Sequence, residues 1–289
     1  MSAKLLDGKL LAQNLQAGLK AEVDALRAKT GLAPRFVNIV IGQDAGSGSY
    51  GRSQKRVAEA VGIDYRFAQL PHTVTQEELL DQIHFLNNDP AVHGIMIHKP
   101  VPSGIDFQLA ANLVSPGKDL EGLNDVNLGK LLTGRTRIIP CTPASVMAHL
   151  DSTGLDLSGK DAVVVGRSEI VGKPVELLLL ERNATVTVCH SGTSKAGRLA
   201  EHVKRAEILV VAVGRPGFIR GEWVREGAVV VDVGINEVDG KLVGDVEFAP
   251  AAERASFITP VPGGVGPVTA VMLMKNGIEA FRQQTGVGI

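Results

Sequence analysis

The chain has 289 residues, 44% of them hydrophobic, and a formal net charge of −1 at pH 7. That leaves room for two modest domains with their own cores, and it excludes a polyanion-binding surface or a charged disordered tail; with no apolar run near the ~20 residues that span a bilayer, neither nucleic acid nor membrane is expected as a partner. The two cysteines, Cys141 and Cys189, lack a CxxC partner, the seven histidines show no HxxxH or HExxH spacing, and no secretory signal opens the chain, so the expectation is a cytoplasmic α/β enzyme without structural disulfides or a metal.

In chain order, apolar positions at helical spacing (Leu10, Leu11, Leu15, Leu19, Val23, Leu26) predict an amphipathic helix over 5–28. Residues 36–41 form a buried-strand run, followed by a glycine-serine loop at 42–49 and a second helix over about 50–61. A further strand is expected over 62–69. The next helix runs over 75–87, with Thr75 as N-cap and Glu78 completing a capping box. Residues 92–98 are again strand-like and run into Lys99, Pro100, Val101 and Pro102, where prolines end the strand. Ligands bind at strand ends of this kind in open α/β sheets. A loop holding residues 116–122 follows, and the segment PCTP (140–143) begins another helix at the passage into the second domain.

That second domain opens with a β-branched run at 162–165, suited to a strand buried on both faces. A glycine-bearing turn, 166–174, leads into a helix over 175–181 and a second strand over 185–189. This order sets backbone N–H groups of the helix N-terminus beside a strand end, where a dinucleotide's phosphates bind. The glycine spacing departs from GxGxxG, so the pattern alone is weak. The second strand ends Cys189, His190, Ser191, with no acid to hold a ribose 2′-hydroxyl, and Arg167 sits in the glycine turn. An arginine and a hydroxyl can hold a 2′-phosphate, which points to NADP rather than NAD. A plain βα turn with a solvated arginine remains the alternative. Two more strands are expected over 208–213 and 228–233. A turn-dense stretch, 258–269, then precedes a final helix over 270–282.

Taken together, VVGRSEIVG (164–172), NATVTVCHS (183–191), DVGIN (232–236), PVPGGVGP (260–267), PCTP (140–143) and Lys118-Asp119 resemble the bifunctional methylenetetrahydrofolate dehydrogenase/cyclohydrolase family, FolD. The likeness runs essentially end to end. It implies two α/β domains with a cleft between them: a folate-binding domain of residues 1–143, completed by a C-terminal helix within 270–289, and a Rossmann-type NADP-binding domain of residues 144–269. It further implies tetrahydrofolate one-carbon derivatives as substrates, and a homodimer. By matching positions it assigns Gly166, Arg167, Ser168, Ile170, Ser191, Val213, Gly214 and Ile235 to the cofactor, with Arg167 and Ser191 at the 2′-phosphate. Tyr50, His98, Asp119, Glu121, Pro262, Gly263 and Val265 fall to the folate side.

The chain departs from the family pattern at three positions. The pattern Tyr-x-x-x-Lys is met by Tyr50, but Gln54 stands where the catalytic lysine is expected. Lys55 is no substitute, because one residue turns the side chain about 100° around the helix. His98 replaces a glutamine, and Glu121 replaces the aspartate expected at the pterin edge. Hydride transfer needs positioning and electrostatics. Cyclohydrolysis needs a group that titrates near neutrality, and glutamine cannot titrate. With Tyr50, Gln54, His98 and Glu121 as the catalytic set, the expected activity is NADP-dependent oxidation of 5,10-methylenetetrahydrofolate, with cyclohydrolase activity lost or weak. The alternatives are a bifunctional enzyme in which His98 or water replaces the lysine, and a non-catalytic folate- and NADP-binding paralogue. His98 is either a new acid–base group or a hydrogen-bonding stand-in for glutamine. Glu121 is either a conservative swap or the mark of a reshaped pocket, and Asp119 can equally be a loop-capping acid.

Overall fold

The β-branched runs fold into two parallel sheets, each in its own unit. The computed structural model describes residues 2–42 and 49–287. One unit is Gln13–Cys141 with Ala270–Ile289, and the other is Met1–Ala12 with Thr142–Thr269.

In the first unit the strand Arg35–Ile41 lies between Asp64–Leu70 and Gly94–Ile97, and both pairings are parallel. Its residues from Phe36 onward are buried, as a central strand covered on both faces requires. Val37, Ile39, Leu79, Ile83 and Ile95 form the core here. The helix Gln76–Asn88 carries the expected capping box: Thr75 Oγ1 accepts from the Glu78 N–H at 3.2 Å and the Thr75 N–H donates back to Glu78 at 2.7 Å. The helix Ser49–Ala60 follows the glycine-serine stretch, of which residues 43–48 lie outside those described.

In the second unit six strands run parallel in the order Lys4–Leu5, Phe257–Ile258, Val229–Asp232, Ile208–Val211, Asp161–Val165, Thr185–Cys189. Val163, Val165, Leu209, Val211 and Val230 pack one face with the helices Leu199–Arg205 and Phe248–Arg254. This is the doubly wound α/β arrangement expected for the second domain.

The boundaries differ from expectation in ways with a physical cause. Residues 4–5 are not helical. They extend the second sheet, so the first twelve residues group with that unit rather than with residues 13–141. The helix starts at Gly8, where Asp7 Oδ1 accepts the N–H groups of Lys9 and Leu10. The last helix begins at Val265, five residues earlier than expected, because its first turn tolerates Gly266 and Pro267, whose missing N–H is not needed there. Short helices at Phe107–Leu113, Asp125–Leu132 and Ser191–Lys195, and a hairpin of Asn236–Val238 with Lys241–Val243, were not foreseen. Among the described residues no helix is long and apolar enough to cross a membrane, and no three potential ligands cluster as a metal site. Both cysteines are free.

Candidate active site

The helix Ser49–Ala60 delivers Gln54 onto the central strand. The Tyr50 side chain lies outside the described residues. Gln54 is 1% exposed, and its Oε1 accepts from the Tyr65 hydroxyl at 3.1 Å and from Asn38 Nδ2 at 3.4 Å. The same Asn38 amide lies 3.3 Å from His98 Nδ1, so one buried asparagine joins the two positions that depart from the family pattern. His98 extends the strand Gly94–Ile97 by one bond, its N–H donating to the Ile39 carbonyl at 2.8 Å. It is half-buried, and burial holds its imidazole below the ordinary histidine range. Lys55 is exposed, 3.8 Å from Glu59 and over the Phe67 ring, so it plays no part in this group.

The loop after residue 115 brings Glu121 beside the end of the same strand. Leu120 donates its N–H to the Ile95 carbonyl at 3.2 Å. Burial and the neighbouring Asp119 push the Glu121 carboxyl up to about 7, against the pull of Lys99 and the Ile97 N–H. The Lys99 ammonium rests 3.5 Å from the centre of the Phe107 ring. Asp119, expected at the substrate, is spent on the loop. Its two oxygens accept from the N–H groups of Glu121, Gly122 and Asn124 and from Asn127 Nδ2, at 2.9–3.1 Å. Those bonds fill a carboxylate's capacity. Lys118 is likewise structural: its ammonium donates to the carbonyls of Leu86, Asn87 and Asp89 and closes the C-terminal end of the helix Gln76–Asn88. Cys141 is half-buried, and desolvation with the neighbouring Glu121 and Asp119 pushes its thiol far up in pKa, which leaves it inert as a nucleophile.

On the other unit, the turns carrying Arg167 and Ser191 leave adjacent parallel strands in register. Val165 pairs with Cys189, and the Gly166 N–H donates to the Cys189 carbonyl at 2.9 Å. Both residues therefore emerge at the C-terminal edge of the sheet, where dinucleotides bind. Arg167 and Ser191 are exposed, and Arg167 has no ion pair among the described residues. Ser168 Oγ accepts from the N–H groups of Val171 and Gly172 at 3.2 and 3.4 Å, which leaves its proton to donate outward. Ile170 and Ile235 are 45% and 60% exposed, so each offers apolar surface. His190 caps the short helix that begins at Ser191.

Val213 and Gly214 reach the same edge, but their N–H groups are committed. They and the Arg215 N–H all donate to the buried Asp245 carboxylate at 2.7–2.9 Å. Asp245 is an internal anion in a backbone cradle; sequence reasoning missed it, because a lone aspartate after a glycine carries no signal. The loop before the last helix is fixed through its backbone. The Gly8 N–H donates to the Gly263 carbonyl at 2.9 Å, and Ser145 Oγ donates to the Val265 carbonyl at 2.9 Å. Pro262 is exposed and Gly263 half-buried, whereas Val265 is only 7% exposed and begins the helix, so its side chain packs inward. Asn38 and Tyr65 were also missed, though an asparagine inside the apolar run FVNIVI was a readable sign for the first.

Comparison with known proteins gives this geometry a relative. Residues 6–121 match the model "Tetrahydrofolate dehydrogenase/cyclohydrolase, catalytic domain", and residues 140–285 match its "NAD(P)-binding domain". The chain is 51% identical over 281 residues to Bifunctional protein FolD 2 of Myxococcus xanthus, covering 97% of this chain and 96% of that protein. The crystal structure of the bifunctional FolD enzyme of Campylobacter jejuni superposes with a TM-score of 0.93 at 39% identity, over 98% of this chain and 99% of the other. The Trypanosoma brucei FolD, solved with NADP cofactor and inhibitor, gives a TM-score of 0.91 at 40% identity, with 98% of each chain covered.

Proposed function

The chain belongs to the tetrahydrofolate dehydrogenase/cyclohydrolase family, and from that premise we propose that it oxidises 5,10-methylenetetrahydrofolate to 5,10-methenyltetrahydrofolate with NADP and has little cyclohydrolase activity. The observation that carries the second half is Gln54. Where the family pattern has a lysine, this chain buries an amide that accepts from Tyr65 and Asn38 and cannot exchange a proton with water. General acid–base assistance is worth about 10²–10⁴-fold, so its loss is enough to make hydrolysis negligible.

The residues present fit NADP. Arg167 stands exposed without an ion pair among the described residues, Ser191 offers a hydroxyl at the neighbouring strand end, and no acid occupies that end to select a ribose hydroxyl. When bound, NADP supplies the nicotinamide that accepts the hydride. Arg167, Ser191 and Ser168 would hold the phosphate-bearing half and Ile170 and Ile235 its apolar surfaces. On the folate unit, Glu121 would accept from the pterin N–H edge, while Gln54 and His98 orient the one-carbon end without charging it. The homodimer implied by the resemblance has apolar surface to bury in Val238, Leu242 and Phe248, each about 40% exposed.

The deciding experiment is oxidation of 5,10-methylenetetrahydrofolate with NADP, quenched at intervals to count NADPH, methenyl and 10-formyl products. Methenylfolate accumulating in step with NADPH, after correction for uncatalysed hydrolysis, is the expected result. 10-Formylfolate formed as fast as NADPH overturns the loss of cyclohydrolase. It would favour the second reading, in which His98, tied to Gln54 through Asn38, has taken over proton transfer.

A further inference from the structure

We propose that Asn38 is the positioning residue of this site: one buried amide sets the orientation of the Gln54 side chain and the tautomer of His98. Asn38 is fully buried in the middle of the central strand, between apolar neighbours, where an uncompensated amide is costly. Its Nδ2 is the only group of the strand that reaches both Gln54 Oε1, at 3.4 Å, and His98 Nδ1, at 3.3 Å. An amide nitrogen can only donate, so the two acceptors are fixed by what faces them.

For Gln54 the consequence is polarity. Oε1 takes both the Asn38 and the Tyr65 donors, and no described residue takes the Nε2 hydrogens, so the amide turns its acceptor inward and keeps its donor for a ligand. The Tyr65 proton goes to that oxygen rather than to Met96 Sδ at 3.3 Å, because a thioether is the weaker acceptor. For His98 the consequence is protonation state. Nδ1 must accept, so the proton of the neutral ring sits on Nε2, and an imidazolium would set N–H against N–H.

The reverse polarity, with Asn38 Oδ1 facing Gln54 and His98, would strand two amide hydrogens in the core. The observed one leaves a single unmet acceptor, Asn38 Oδ1, and buried orphan carbonyls are tolerated more often than orphan donors. The group Asn38–Gln54–His98 is therefore neutral throughout, a wall that orients a one-carbon unit turning cationic without adding charge. This functional role rests on the dehydrogenase reading; the hydrogen-bond polarity does not.

The test has a spectral and a kinetic arm. In the unliganded protein, ¹⁵N-detected histidine spectra should show His98 with a bare Nδ1 and a protonated Nε2; a protonated Nδ1 overturns the proposal whatever reaction the enzyme catalyses. Asn38→Val removes the donor while suiting a buried strand, and should lower the dehydrogenase kcat about tenfold, the worth of one such hydrogen bond, with KM for NADP unchanged. Asn38→Asp keeps the shape but can only accept, and should move the His98 proton to Nδ1 and depress kcat as well. Wild-type kcat in either variant overturns the positioning role, since a spacer would be served by shape alone. If 10-formylfolate proves to be the main product, only the dehydrogenase-only reading falls, and the His98 spectrum still decides for or against Asn38.

Discussion

A Cβ placed on Gly172 would lie 2.3 Å from the carbonyl oxygen of Gly166. The turn between the first strand of the cofactor unit and its helix is thus closed by backbone against backbone, and Gly166 itself adopts a φ of +130°. Both glycines are needed although neither stands in a GxGxxG spacing. Gly172→Ala is expected to displace the Arg167 turn, weaken NADP binding at least about tenfold and cost about 1–3 kcal/mol of stability. Gly18→Ala, in a helix interior with nothing near its added Cβ, should instead stabilise by about 0.5–1 kcal/mol. NADP titration and thermal melts of the two variants make the comparison, and similar behaviour would sink the argument.

Arg167 and Ser191 leave neighbouring strands at the same level, since Val165 pairs with Cys189. If they grip a 2′-phosphate, Arg167→Ala should raise KM for NADP by about 10- to 100-fold, the worth of a charge-assisted hydrogen bond, and leave KM for NAD unchanged. Ser191→Asp should go further and favour NAD, by adding the strand-end acid that holds a ribose hydroxyl. Steady-state kinetics with both cofactors decide it; equal losses with NAD and NADP would mean that Arg167 serves only the fold.

These features were legible to different depths. The strands were readable because β-branched runs such as Val163–Val165 belong to sheets covered on both faces, and the Thr75–Glu78 capping box because its chemistry is local. The helices Phe107–Leu113 and Asp125–Leu132 were passed over, though their caps Asp106 and Asn124 were visible, because each spans two turns and shows little periodicity. The two-residue strand at Lys4 has no pattern of its own and exists only through its partner at Phe257. The site divides the same way. Gln54, His98 and Glu121 stood out against a family pattern, whereas Asn38, Tyr65 and Asp245 act across 11 to 60 residues of sequence, which only the folded chain reveals.

Glu121 makes the enzyme pH-sensitive in a direction that can be worked out. Its carboxyl is pushed up to about 7, so between about pH 4.5 and 7 the folded state binds a proton that the unfolded state releases, and stability from this group falls as pH rises. Glu121→Gln should therefore gain melting temperature over wild type progressively from pH 4.5 to 7 and hold that gain above. Buried His93 and His149 and half-buried His98, with lowered values, shift the absolute curve in the opposite sense below about pH 6.5, so the difference between variants is the quantity to read. Substrate affinity should move the other way in wild type, improving as the carboxylate forms, and lose that dependence in Glu121→Gln. A flat difference in melting temperature across this range would show that Glu121 titrates elsewhere.

Gln54→Lys asks whether the missing proton carrier is the reason for a lost reaction. A lysine at this position would enter a site 1% exposed and face two donors, the Tyr65 hydroxyl and Asn38 Nδ2. Tyr65 can turn its proton to Met96 Sδ at 3.3 Å and accept; the Asn38 amide can offer its unmet Oδ1 only by rotating, which gives up its bond to His98 and leaves its own hydrogens unmet, so the lysine is expected to lean on Tyr65. Burial would lower the lysine's pKa toward the range in which it exchanges protons at neutral pH. Cyclohydrolase activity should then rise by at least about 100-fold while the dehydrogenase rate changes far less, because hydride transfer needs no proton at that step. Activity is to be read as 10-formylfolate formed from purified methenylfolate, with Gln54→Met as a control of similar bulk and no titratable group. A gain in the lysine variant alone identifies Gln54 as the residue that separates the two reactions, and no gain sends the search to His98.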